Sequence, residues 1–267
     1  MGVFLFNMNN PMFKKILNTI LLTAIGAGLG ATTAHYQPTQ WQVQAQFTAP
    51  KMAELGNYFS LFSTFQLVSG DTEAVDVSKM ESKATQTAFA IFSQNLTASE
   101  PRITFLSQQP SVQQRAELEG LSAKAYAEKL AQGFQSSVNG NAVNVSFSSY
   151  NLADVDNLFV EYLKSVNTTT RTALNNELIN KWKALFQQVK TAAEAKLDAS
   201  WENKLKMMQS VQPLDNNLVA FHFEKNASLN AIPKPYLIFA GLGAIAGFMM
   251  SLIALAMLNV RTKKQVS

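Results

Sequence analysis

The sequence predicts an α+β protein whose central region, residues 35–232, is held between two membrane-spanning helices. Three observations carry this. Residues 16–34 and 236–260 contain no charged side chain. At about 1.5 Å rise per residue, each run is long enough as a helix to cross a hydrocarbon core of roughly 30 Å. Between them, period-two and helical patterns are interleaved, which is the signature of a mixed helix and sheet domain.

Residues 1–15 end in Lys14-Lys15, a basic flank that places the chain start in the cytoplasm ahead of the first span. Ala31 and Ala34 are small residues of the type found at signal cleavage sites, so a cleaved signal peptide competes with a retained span. The length of the run favours the retained helix. Gly26, Gly28 and Gly30 mark this span.

After the membrane, Trp41, Val43, Ala45 and Phe47 alternate with Gln40, Gln42, Gln44 and Gln46, predicting a strand with one glutamine face. Residues 52–68 carry apolar side chains at helical spacing, and residues 69–76 read as a polar turn. Residues 78–96 predict a second helix. Pro101 to Leu106, between two prolines, suggests a short extended piece. Residues 121–134 predict a further helix, Asn139-Gly140-Asn141 a turn, and Val143, Val145 and Phe147 a second strand.

From Asp154 to Gln212 the chain has neither proline nor glycine, and Asn151 is a plausible N-cap. One apolar stripe runs through Val155, Phe159, Tyr162, Val166, Leu174, Leu178, Trp182, Leu185, Val189, Ala193, Leu197, Trp201, Leu205 and Met208. Asn167-Thr-Thr-Thr170 fills a gap in it after Val166, so a kink or break is expected there. A continuous helix over 154–212 would be roughly 90 Å long and would project from the domain as an arm. Its stripe is expected to serve arm packing and contacts between neighbouring subunits, and the sequence leaves open which of the two it faces. Leu218, Ala220 and His222 alternate with Val219, Phe221 and Phe223 as a third strand.

The second span follows Pro233 and Pro235 and carries Gly241, Gly243 and Gly247. Gly243 and Gly247 form a small-xxx-small face that permits close helix packing in lipid, although glycine is also simply frequent in membrane helices. Arg261, Lys263 and Lys264 follow, placing residues 261–267 in the cytoplasm.

Composition argues against several chemistries. The pI is about 9.2, but six of the basic residues flank the spans. The central region has sixteen basic against eighteen acidic residues, so there is no basic stripe and no nucleic-acid partner is expected. Without cysteine there is no disulfide, thiol catalysis or thiolate metal site. His35 and His222 are the only histidines, and no phosphate-binding loop or nucleophile elbow is present. Neither a cofactor nor a metal is expected, and the chain does not read as an enzyme.

The order of these parts resembles the Wzz-type polysaccharide co-polymerases, the chain-length determinants of O-antigen and related surface glycans. The resemblance rests on the basic start, the first span, and the post-membrane strand running into Ala49-Pro-Lys-Met-Ala-Glu-Leu-Gly-Asn-Tyr58. It rests further on Asp154-Val-Asp-Asn-Leu-Phe-Val-Glu-Tyr-Leu-Lys-Ser-Val166, and on the proline-bearing approach into a glycine-rich second span. It implies a two-pass protein of the bacterial inner membrane with a periplasmic centre and a homo-oligomeric ring. Its implied partners are an integral-membrane glycan polymerase and lipid-linked polysaccharide. Pro233, Pro235, Gly241, Gly243 and Gly247 would be the family's second-span motif. The central region is short for an O-antigen member, and no tyrosine-kinase domain of the capsule type is expected. A two-span sensor and an export adaptor remain the alternatives.

Overall fold

The computed structural model describes residues 11–71 and 76–264. Parts of the expected cytoplasmic start, the 69–76 turn and the 261–267 tail lie outside the described residues. The chain opens with α1 (Pro11–Tyr36), β1 (Trp41–Thr48), a 3-10 turn (Met52–Leu55) and α2 (Asn57–Ser69). It continues through α3 (Val77–Thr97), α4 (Ser99–Gln108), α5 (Pro110–Leu118), α6 (Ala123–Ala131), β2 (Phe134–Asn139) and β3 (Ala142–Ser149). It closes with α7 (Leu152–Glu194), α8 (Ala199–Gln209), β4 (His222–Ala231) and α9 (Tyr236–Lys264). These form two compact units: the residues up to Thr39 with those from Ala231, and Gln40–Asn230.

In the first unit, Lys14–Tyr36 and Tyr236–Met257 are helices long and apolar enough to cross a membrane. In the second, the described strands form one sheet in the order β2-β3-β1-β4. β1 and β3 are antiparallel with Val43 opposite Phe147 and Phe47 opposite Val143. Period-two alternation puts Val43, Ala45, Phe47, Val143, Val145 and Phe147 on the core face, all buried. Phe47 meets Phe221 edge-on at 5.2 Å, Phe92 stacks on Phe221 at 4.6 Å, and Phe134 stacks on Phe147 at 4.1 Å. Helix α7 supplies Val155, Phe159, Tyr162 and Val166 to the same core.

Arg102 is buried within this core, 6 % exposed. Its Nη2 donates to the carbonyls of Leu96 and Thr97, in the last turn of α3, at 3.1 and 3.3 Å. Its guanidinium lies over the rings of Phe134 and Tyr162, 5.0 and 5.7 Å from their centroids. The negative end of a helix and two aromatic faces thus replace a carboxylate partner. Tyr162 Oη donates to the Leu96 carbonyl at 2.9 Å, and burial pushes its phenol pKa up despite the nearby guanidinium.

Five sequence expectations change. The 101–106 segment is helical, not extended: Pro101 sits in the first turn of α4 and Pro110 starts α5, positions where a missing N–H costs nothing. The 52–68 helix is split at Gly56, whose φ of 55° interrupts it. The 121–134 helix stops at Ala131, and Phe134 opens β2, the first strand of a hairpin turning at Gly140. The third strand begins at His222 rather than Leu218. The backbone over 218–220 is already bonded elsewhere: Leu218 O and Ala220 N to Asn167, and Val219 N to Glu54 O. Finally, the long helix is unbroken across Asn167–Thr170 and ends at Glu194, short of Gln212.

Candidate functional site

Two constructions carry the residues singled out from the sequence. The first is the seam between α1 and α9. A Cβ placed on Gly26 would overlap Gly243 O, and one on Gly243 would overlap Gly26 O. Gly30 is held in the same way against Phe239 O, and Gly247 against Leu22 O. Gly26 and Gly30 therefore face Gly243 and Gly247 with the two backbones touching, the geometry that residues four apart allow in lipid. Gly28 and Gly241 stand outside this contact, since a Cβ on either meets nothing within 4 Å.

The four-residue step extends further than the glycines. Ala34 is fully buried on α1, and Ser251 is 2 % exposed on α9, its hydroxyl donating back to Phe248 O at 2.7 Å. Sequence reasoning missed both; continuing the steps 26-30-34 and 243-247-251 would have found them. Pro233 and Pro235 precede the seam. The Pro235 carbonyl accepts from the backbone N–H groups of Ile238 and Phe239, each at 3.2 Å, so it closes the first turn of α9.

The second construction is the helical arm. Helix α7 runs for 43 residues, about 65 Å, and ends at Glu194. Lys196 takes φ 53° and the chain turns through Lys196 N–H to Ala193 O and Leu197 N–H to Ala192 O. This pair of bonds is a helix-closing motif that glycine normally serves. Helix α8 then packs back on α7. Val189 (0 % exposed), Met208 and Val68 of α2 form the buried centre, with Trp182, Leu185, Phe186, Trp201 and Leu205 partly buried around them. Leu174 and Leu178 belong to the main core instead. Leu197, expected in the stripe, is 69 % exposed beside the turn. A single stripe on 154–212 thus closes on itself as a hairpin.

The gap in the stripe is a docking point. Asn167 Nδ2 donates to Leu218 O at 3.2 Å and its Oδ1 accepts from Ala220 N at 2.9 Å. Thr170, fully buried, accepts from Asn95 Nδ2 at 3.0 Å, and Arg171 donates to Asn216 O. At the start of α7, Asn151 caps the helix through Ala153 N, and the buried Asp154 pairs with Arg115 of α5. Burial raises the Asp154 carboxyl pKa, outweighing the pull of Arg115 in the opposite direction.

Among the described residues, no group of three or more His, Asp or Glu side chains is placed to hold a metal ion. His222 Nδ1 is bonded to Glu54 Oε1 at 2.8 Å, and Glu54 Oε2 accepts from Lys51 N at 2.7 Å. That arrangement ties β4 to the 3-10 turn.

The class defined so far is a mixed helix and sheet domain with a long helical hairpin, carried between two apolar terminal helices. Among solved structures, the chain is similar to a full-length bacterial polysaccharide co-polymerase. That match covers 95 % of this chain and 99 % of that one at a TM-score of 0.58 and 11 % identity. A fragment of the co-polymerase WzzB from Salmonella Typhimurium aligns with 70 % of this chain and 95 % of its own, at a TM-score of 0.49 and 12 % identity. In sequence, the chain is 40 % identical over 112 residues to an uncharacterized protein of Haemophilus influenzae, covering 42 % of this chain and 96 % of that protein. No protein-family model matches. The chain has the fold of a full-length bacterial polysaccharide co-polymerase.

Proposed function

We propose that this protein is a non-catalytic regulator of polysaccharide chain length, acting as an oligomeric scaffold in the bacterial inner membrane. It crosses the membrane twice, with residues 35–232 in the periplasm and both termini in the cytoplasm, the orientation favoured by Lys14, Lys15, Arg261, Lys263 and Lys264. Its partners are further copies of itself, an integral-membrane glycan polymerase and the lipid-linked polysaccharide being extended. The observation that carries this reading is the extent of the fold likeness, which includes both apolar helices as well as the domain between them.

The parts have separate duties under this reading. The Gly26–Gly30 and Gly243–Gly247 seam sets how the two spans of each copy are held, with Pro233 and Pro235 fixing the entry into the second. The hairpin of α7 and α8, stiffened by Val189 and Met208, leaves Trp182, Leu185, Trp201 and Leu205 partly exposed for contact with a neighbouring copy. Deleting the gene tests the reading: the surface glycan should persist with its lengths spread, whereas a sensor or export adaptor would leave the length distribution as it was.

A further inference from the structure

The sheet turns one face to the core, and its other face is a polar groove that neither the core nor the arm uses. Its volume is about 420 Å³, within the range of roughly 300–1,000 Å³ common for ligand sites. Antiparallel register aligns its side chains in two rows across three strands. Gln135 of β2 lies opposite Ser146 of β3, which lies opposite Gln44 of β1. Two residues along, Ser137 lies opposite Asn144, which lies opposite Gln46. Neighbouring strands are about 4.8 Å apart and the rows about 7 Å apart, so the six form a grid.

We infer that this groove binds an uncharged polyhydroxyl chain, a neutral or N-acetylated glycan segment lying across the strands; the assignment rests on, and gives a place to, the polysaccharide partner proposed above. Every member of the grid is a carboxamide or a hydroxyl. Each can donate and accept at once, as a sugar hydroxyl can, and none carries a formal charge that binding would strip of water. Among the described residues lining the groove, Lys225 alone is charged. A polyanion such as nucleic acid calls for a row of cations instead. A protein partner calls for a buried apolar centre with aromatic anchors, but here only Ala45 and Val145 are apolar, and both are already covered from the core side.

The test uses the full chain in lipid nanodiscs and saturation-transfer NMR. The probes are the lipid-free glycan released by mild acid from the strain that carries the gene, with dextran as a neutral polymer and alginate as an anionic one. Transfer to the neutral polymers, and none to alginate, is the expected result. The pair Gln44→Ala with Ser146→Ala should weaken it about tenfold with the circular-dichroism melt unchanged. Gln187→Ala on the exposed side of α7 should leave binding as it was. Absence of transfer from every neutral glycan, or equal binding by the groove variant, overturns the inference. So would disulfides between copies carrying Gln44→Cys and Ser137→Cys in native membranes, because a second copy would then fill the groove. Binding in nanodiscs is read independently of glycan length in cells, so either result can fail while the other stands.

Discussion

The side chain of Asn167 stands in for a strand to the backbone around Ala220, accepting its N–H at 2.9 Å while donating to Leu218 O. One carboxamide holds a segment that would otherwise carry two unbonded backbone groups beside the core. Asn167→Ala orphans both, which costs about 2–4 kcal/mol on the scale of unsatisfied buried groups. A drop in melting temperature of the detergent-solubilised protein is the expected readout. Asn167→Asp, which keeps the acceptor but loses the donor, should fall between.

Lys196 occupies a left-handed position at the hairpin turn, with φ 53°. Lys196→Gly relieves that strain and should stabilise the protein by about 0.5–1 kcal/mol. Unfolding in urea would show a higher midpoint with an unchanged slope.

The asymmetry between Gly243 and Gly241 gives a paired experiment. Gly243→Leu forces α1 and α9 apart, because its Cβ alone would overlap the Gly26 carbonyl. Gly241→Leu points into open space. The first should lower thermal stability in detergent and disturb glycan length control, and the second should do neither.

Asp154 and Arg115 set the pH behaviour at the start of α7. Burial raises the Asp154 pKa in the folded state, so the fold binds this proton more readily than the unfolded chain does. Stability from this group is therefore present below the ordinary carboxylate pKa of about 3.9, and is lost as pH rises toward the folded value. Asp154→Asn removes that loss and should lie within about 1 kcal/mol of wild type at neutral pH. Arg115→Ala leaves the carboxylate buried and alone, and should cost about 3–5 kcal/mol. Unfolding curves at pH 4 and pH 7 separate the two.

Much of this fold was legible in the residues. The charge-free runs gave the two apolar helices, and the alternation of Trp41 to Phe47 with four glutamines gave the central strand. What was hidden had physical causes. The strand β2, Phe-Gln-Ser-Ser-Val-Asn, has apolar residues only at its first and fifth positions, so no alternation is visible. The strand β4 is almost wholly exposed, and beyond Phe223, which packs on Phe47, it shows no strict alternation of apolar and polar residues. The turn at Lys196 lacks the glycine that usually announces it. Asn167 and Thr170 broke the apolar stripe because they bond to another segment, and a sequence gives no sign of whether polar residues in a helix mark a bend or a dock. The glycine seam was half visible: the small-residue face at Gly243 and Gly247 could be seen, while its partners and the place of Gly241 needed the second helix.

Arm integrity gives a further comparison. Leu185→Pro breaks α7 where it meets α8, removing a backbone bond and the packing around Val189. Lys183→Ser alters an exposed position on the same helix. Both proteins can be measured for membrane abundance by immunoblot, and at matched abundance only the proline variant should lose length control.

The most direct measurement is the length distribution of surface glycan, resolved by gel, in a strain lacking this gene and carrying either an empty vector or the wild-type chain. The account predicts a spread ladder with the empty vector and a cluster around one modal length when the wild-type chain is restored. Indistinguishable ladders in the two strains, with polymer present and the protein in the membrane, would contradict it.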